Sequence, residues 1–283
     1  MPDTRNFEMP PRKDLCVFYM LDTSGSMGGE PINILNRAME ETTQALQGQA
    51  QHNGDAHVKL AVMTFDTNPR WVQPDGPEYI EDFEWEDVYA GGTTNVGTAL
   101  RELNSKLTVD EYLASKVGGL PPVIIFMTDG RPTDEYANAL EACKNNRMFR
   151  KATRIGIGIG DEADLDMLAK LTGDSEAVIR PRDLRTFAKL LKVVSMTSTE
   201  ISSKPDNADT GMNKGAAAVN DAMSESGEEK SASGLQPDAP NVDRPESEYY
   251  DPDSFGGQDD DDEWATSAYS SSSKDTDSYN DEW

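Results

Sequence analysis

Three short segments bring together residues that could bind a hard cation. Asp22-Thr23-Ser24-Gly25-Ser26-Met27 follows one apolar run, and Thr128-Asp129-Gly130 follows another. Between them, Gly91-Gly92-Thr93-Thr94-Asn95 opens a helical pattern at Val96. The donors are two carboxylates and several hydroxyls, with no thiol and no imidazole. His52 and His57, the chain's two histidines, lie outside all three segments. Oxygen-only sets take hard divalent ions, and two carboxylates completed by water suit Mg²⁺ better than a many-oxygen Ca²⁺ cage. Mn²⁺ or Ca²⁺ are the alternatives.

The elements that must carry these segments are visible as alternating patterns. Leu15–Leu21, Leu60–Phe65, Val123–Met127 and Arg154–Ile159 are short, nearly continuous apolar runs, as strands buried on both faces of a parallel sheet require. Helical patterns lie between them over Pro31–Gln47, Val96–Leu107, Glu135–Met148, Ala163–Leu171 and Asp183–Val194. Pro31 suits the first turn of its helix, and Gly48 is read as the stop. Trp71–Gln73 reads as a short strand antiparallel to Leu60–Phe65, because too few residues intervene for a helical crossover. Ala177–Ile179 reads as an edge strand. The alternation predicts an α/β, doubly wound, mostly parallel sheet flanked by helices. Ligands of such sheets bind beyond the carboxyl ends of the strands, where all three segments fall.

Asp-x-Ser-x-Ser after the first strand, a Thr in a Gly-rich loop and Thr-Asp-Gly after a later strand resemble the von Willebrand factor A (VWA) domain. Its metal-ion-dependent adhesion site (MIDAS) maps by that resemblance onto Asp22, Ser24, Ser26, Thr94 and Asp129. Thr94 is preferred to Thr93 because Thr94-Asn95-Val96-Gly97-Thr98-Ala99-Leu100 matches the family's Thr-x-x-Gly-x-Ala-Leu. The resemblance implies that the Ser24 and Ser26 hydroxyls touch the metal. Thr94 binds it directly or through water, and Asp22 and Asp129 hold bound waters. One position is left for an acidic side chain of a protein partner. Met27, Gly28, Arg131 and Pro132 would rim the site, and Asn95 would cap the helix.

Asp22–Ile32, Phe126–Asp134 and Gly156–Leu165 are similar to the bacterial TerY-type proteins of tellurite-resistance and chemical-stress gene clusters. That likeness implies an intracellular, non-catalytic module whose partners include kinase- or phosphatase-type proteins of the same cluster. It extends through about Ser203.

Composition narrows the classes. The 283 residues carry a net charge of −26, which argues against nucleic acid and against anionic membranes as partners. No apolar run of about 18 residues exists to span a bilayer. Met1–Asp14 lacks a signal peptide's basic start, and Cys16 and Cys143 read as buried thiols, so a cytoplasmic location is expected. Residues 201–283 hold 21 acidic and 5 basic side chains and a single Leu. The expected organisation is an N-terminal extension over 1–14, the VWA domain over 15–203, and a disordered acidic Ser/Asp-rich tail over 204–283. The tail's aromatics, such as Tyr249, Trp264 and Trp283, leave a binding segment as the alternative to a solubilising appendage. Trp71, Tyr79, Phe83, Trp85 and Tyr89 are read either as partial core packing or as a partner surface.

Enzyme readings fit less well. A haloacid-dehalogenase-like site needs a second Asp where Ser24 stands. A serine-hydrolase elbow needs Gly where Ser24 precedes Ser26 by two, and no P-loop is present. Gly156, Gly158 and Gly160 do not have dinucleotide-loop spacing. Metal-dependent phosphoryl transfer or phosphatase chemistry is the runner-up.

Overall fold

A computed structural model describes residues 12–52, 54–203 and 211–226. Strand β1 (Lys13–Asp22) is buried along almost its whole length. A 3-10 turn (Gly25–Met27) leads into α1 (Glu30–Ala50). Then come β2 (Ala56–Phe65), β3 (Pro69–Trp71), β4 (Glu78–Tyr79) and α2 (Val96–Lys106). The second half holds β5 (Val123–Thr128), α3 (Ala137–Asn145), α4 (Arg147–Lys151), β6 (Thr153–Gly158), α5 (Leu165–Thr172), β7 (Val178–Ile179), α6 (Leu184–Ser203) and α7 (Gly211–Ser226).

The sheet order is β3-β2-β1-β5-β6-β7, with β4 also pairing β2. β2, β1, β5, β6 and β7 run parallel, and β3 and β4 run antiparallel to β2. The predicted doubly wound sheet is therefore the observed one. Winding reverses at β1, with β2 on one side and β5 on the other, so the crevice opens beyond Asp22 and Thr128.

β1 shows why the pattern reads as continuous. Leu15, Val17, Tyr19 and Leu21 enter one core, packed under α1, α6 and α7. Cys16, Phe18 and Met20 enter the other, under α2, α3 and α5. Period-two alternation places both sets inside, as a sheet covered on both faces demands. Both cysteines are buried free thiols. Burial pushes the Cys143 thiol up to about 12 and raises Cys16 further, so both pack as small apolar groups.

Several boundaries differ from the sequence reading. α1 runs through Gly48 to Ala50, because Leu46 and Ala50 are buried and hold the last turn down. The single helix expected over Glu135–Met148 is two. Asn146 leaves the helical region (ψ 126°) and its side chain accepts a hydrogen bond from Met148 N at 2.8 Å, capping α4. The isolated pair β4 was not expected at all.

The largest difference is α7, which lies inside the span read as disordered tail. Ala218, Val219, Ala222 and Met223 join the α1–α6 core, and a Cβ on Gly215 would stand 2.4 Å from Arg154 O. β7 pairs only with Gly156 and Ile157, so α7 covers the part of β6 that β7 leaves open, as an edge strand requires. Its few apolar residues sit at helical spacing, a local pattern that the tail's polar composition masked. The N-terminal extension through residue 11 and the tail reading for 204–210 and 227–283 lie outside the described residues. Ending the chain at Ser203 should lower its stability by roughly 2 kcal/mol, since the core surface that Val219 and Met223 cover is exposed to water. Chemical denaturation of the full chain beside the shortened one measures this.

Candidate metal centre

The centre is assembled at the carboxyl ends of β1 and β5. Asp22 is the last residue of β1 and almost fully buried. One of its carboxylate oxygens accepts from Ser24 N at 2.8 Å, and the other accepts from Thr128 Oγ1. Ser24 Oγ lies 3.0 Å from Ser26 Oγ, and Ser26 Oγ donates to Asp129 Oδ1 at 2.8 Å. A continuous run of hydrogen bonds therefore links Asp22, Ser24, Ser26 and Asp129 across 107 positions of sequence.

Thr94 completes the cluster. It is buried, and a Cβ on Gly130 would lie 3.7 Å from Thr94 Oγ1 and 4.0 Å from Ser26 Oγ. Thr93 is exposed and turns away, its hydroxyl bonded to Thr67 and Asn95. The structure thus brings together all five residues singled out from sequence, with Thr94 and not Thr93 beside Gly130.

Two loops hold Thr94 in place. Asn95 N donates to Asp66 O at 3.0 Å, and Thr133 N donates to Thr94 O at 2.9 Å. The Asn95 side chain makes no cap. It donates to Thr67 O and accepts from Thr133 Oγ1, tying the loops after β2 and β5 together. Asp134 does the capping instead. Its carboxylate accepts from Gly97 N at 2.8 Å, Thr98 N at 2.9 Å and Thr98 Oγ1 at 3.0 Å, where the helix dipole favours an anion. Gly97 permits this approach, for a Cβ there would stand 2.1 Å from Glu135 O. Asp134 and Asp66 had no role in the sequence reading, and Thr128 entered it only as a hydroxyl of its segment. Asp134 and Thr128 bond to residues distant in sequence, as does the Asp66 carbonyl, and no local spacing signals these bonds.

Met27 is fully buried in the α1-side core, so it anchors the turn and does not rim the centre. Arg131 is exposed.

Burial raises the proton affinity of both carboxylates. For Asp22, bonds from Thr128 and Ser24 offset part of this and the charge of Asp129 adds to it. For Asp129, the Ser26 hydroxyl offsets part. Among the described residues neither carboxylate has an ion-pair partner. Two desolvated carboxylates with hydroxyls between them and no cation of the protein's own form a site short of positive charge. No group of three or more His, Cys, Asp or Glu able to hold a metal occurs among the described residues. The hydroxyls and carboxylates of this oxygen-only set fit a hard cation that keeps some of its water.

The von Willebrand factor type A domain model matches residues 17–193, more than half of the sequence. The chain belongs to the VWA family. It is 34% identical over 103 residues to the human collagen alpha-6(VI) chain, a match covering 36% of this chain and 4% of that one. It is 23% identical over 193 residues to the human collagen alpha-1(XXI) chain, covering 66% of this chain and 19% of the relative. It therefore spans a small part of the curated relatives it matches. Among solved structures, proximal thread matrix protein 1 from the mussel byssus, with a zinc-occupied MIDAS motif, superposes with TM-score 0.51 at 18% identity. That match covers 65% of this chain and 48% of the mussel protein. The pilus adhesin SpaC from Lactobacillus rhamnosus GG superposes with TM-score 0.51 at 12% identity, covering 65% of this chain and 30% of the adhesin. These likenesses establish the VWA fold. No helix among the described residues is long and apolar enough to cross a membrane.

Proposed function

We propose that this VWA chain is a metal-dependent protein-interaction module. In this reading Asp22, Ser24, Ser26, Thr94 and Asp129 hold one Mg²⁺, and a carboxylate from a protein partner completes its coordination. The observation that carries it is the pair of desolvated, proton-seeking carboxylates, Asp22 and Asp129, joined through the Ser24 and Ser26 hydroxyls. Neutral hydroxyl ligands leave the ion electrophilic, so an external anion gains more by binding it. The names of the collagen, byssal-matrix and pilus-adhesin relatives fit a binding role rather than catalysis. The TerY-type likeness of Asp22–Ile32, Phe126–Asp134 and Gly156–Leu165 supports a reading in which the module acts in an intracellular bacterial stress system of the tellurite-resistance kind, with kinase- or phosphatase-type proteins of the same cluster as partners. A phosphoryl-transfer enzyme is the weaker reading, because Ser24 stands where a haloacid-dehalogenase-like site needs its second Asp.

Capture of partners from the native cell extract tests this, with Mg²⁺ and with EDTA, beside Asp129→Ala. A partner held only by the wild-type chain with Mg²⁺ is the expected result. A partner held equally in every lane contradicts metal bridging.

A further inference from the structure

The end of the sheet opposite the metal centre carries a charged pair that faces an apolar core. Alternation sends Asp14, Cys16, Phe18 and Met20 of β1 to the α2 side, and Lys59, Ala61, Met63 and Phe65 of β2 to the same side, with Lys59 beside Cys16 in register. Only Asp14 and Lys59 in this set bear charge. After α2 ends at Lys106, the connection to β5 crosses this end of the sheet. It is tied to Asp14, whose N donates to Gly118 O at 3.1 Å and whose O accepts from Leu120 N at 2.8 Å.

That cover is incomplete. A cleft of about 60 Å³ remains, with Asp14 and Lys59 as its polar lining and Val109, Tyr112, Leu113, Leu120 and Met148 as apolar walls. Tyr112 is held by other rings, stacked on Phe18 at 6.5 Å between centroids and edge-on to Trp71 at 4.7 Å, so this wall is formed before any ligand arrives. Exposed apolar side chains gather at the same end. Val109 lines the cleft, the Tyr79 ring lies 4.7 Å from Lys59 Nζ, and Val117 is two residues from Gly119, which also lines it.

The polar lining is only half satisfied. Lys59 Nζ stands 2.8 Å from Asp14 Oδ2. Asp14 Oδ1 is buried and accepts no hydrogen bond among the described residues, in a side chain only 8% exposed. His57 Nδ1, at 3.9 Å, is out of hydrogen-bond range. A buried acceptor without a donor is costly, so a ligand that brings one is rewarded. The Asp14–Lys59 pair is already neutral. A cationic ligand would meet Lys59 and an anionic one Asp14, which leaves a neutral donor as the best match. The Lys59 ammonium has three N–H donors, more than Asp14 alone uses. An acceptor beside a donor at the end of an apolar cleft is the complement of a carboxamide.

We infer that this cleft binds a small neutral amide, with the amide N–H on Asp14 Oδ1, the carbonyl on Lys59 Nζ and the alkyl part against Tyr112 and Met148. The volume admits a few heavy atoms but not a benzene-sized body, which needs about 150 Å³. The cleft and the metal centre stand at opposite ends of β1, so the two sites can be tested independently.

Titration of the ¹⁵N-labelled full chain with acetamide, followed by the NMR shifts of its backbone amides, is the test. Saturable shifts confined to Asp14, Lys59 and residues 109–120 are expected. Acetone has nearly the same shape and no donor, and should bind at least about tenfold more weakly because it leaves Asp14 Oδ1 unpaired. Acetate and ethylammonium should be disfavoured by the same margin, one by Asp14 and the other by Lys59. Val109→Trp should abolish the shifts by filling the mouth of the cleft, and the exposed position leaves the variant's fold intact. No saturation below about 100 mM, the weakest affinity that so small a ligand in a built site should show, overturns the inference. So does acetone binding as well as acetamide, or acetamide binding that survives Val109→Trp, and Asp14 Oδ1 is then left to an ordered water.

Discussion

Asp129→Asn is expected to stabilise the metal-free chain while removing its response to Mg²⁺. The Asp129 carboxyl is raised by burial, so in the folded state its charged form is disfavoured relative to the unfolded chain. A folded-state pKa above the unfolded value means that the folded chain binds more protons. Stability is then lost as pH rises from the unfolded carboxylate range through the raised value, and the loss persists at neutral pH. Asparagine removes the charge and keeps an oxygen to accept from Ser26. The melting midpoint without metal should rise, and only modestly, because Asp129 is partly exposed and solvent screens its charge. Mg²⁺ should raise the wild-type midpoint and leave the variant's unchanged, because a ligand stabilises only the state that binds it. Thermal melts of both chains, with Mg²⁺ and with EDTA, measure both effects. A variant that melts lower without metal, yet still responds to Mg²⁺, contradicts the electrostatic account.

Gly97→Ala should be the most damaging single methyl group in the domain. The added carbon would meet Glu135 O at 2.1 Å, and Glu135 C and Tyr136 Cα at 2.9 Å each. All three are backbone atoms, so no rotamer change relieves the clash. The α2 N-terminus must retreat, which breaks the three bonds to Asp134 and moves Thr94 away from Ser26 and Gly130. A cost of about 3 kcal/mol is expected, or about 6–12 °C in the midpoint, together with weaker Mg²⁺ binding. Gly48→Ala is the control of opposite sign. Gly48 lies within α1, and a Cβ there meets nothing within 4 Å. Alanine should add about 0.5–1 kcal/mol through helix propensity alone.

These two glycines show how much of the protein is legible in one dimension. Gly97 stands in Thr-x-x-Gly, so its presence is readable, but the reason for it is Glu135, which only the folded chain brings near. The same holds for the centre. The convergence of strand ends in a parallel sheet, which follows from alternating strands and helices, brings the three loops together, and the resemblance to the VWA motif singles out Asp22, Ser24, Ser26, Thr94 and Asp129 within them. Asp134 and Asn95 act through bonds between loops, and no residue type at a local spacing announces them. Asn95 precedes a helix and reads as a cap, yet Asp134 takes the helix N–H groups because its charge suits the dipole better. α7 was hidden for a different reason. Seven apolar residues in sixteen, four of them alanines, cannot hold a helix by themselves, but they suffice where β6 offers an uncovered edge and α6 a flank. Tyr89, in the long acidic connection, had two readings from sequence, and alternation along 81–90 sends it to solvent while Phe83 and Val88 pack inward.

Mn²⁺ binding followed by electron paramagnetic resonance is the most direct measurement of the central claim. It should be made on the full chain, on the Ser24→Ala/Ser26→Ala double variant, and with Mg²⁺ as competitor. The account predicts one tight Mn²⁺ per chain, displaced by Mg²⁺ and lost in the double variant, with only weak binding to scattered carboxylates remaining. Equal tight binding by both proteins, or none by the wild type, would contradict a metal held by Asp22, Ser24, Ser26, Thr94 and Asp129.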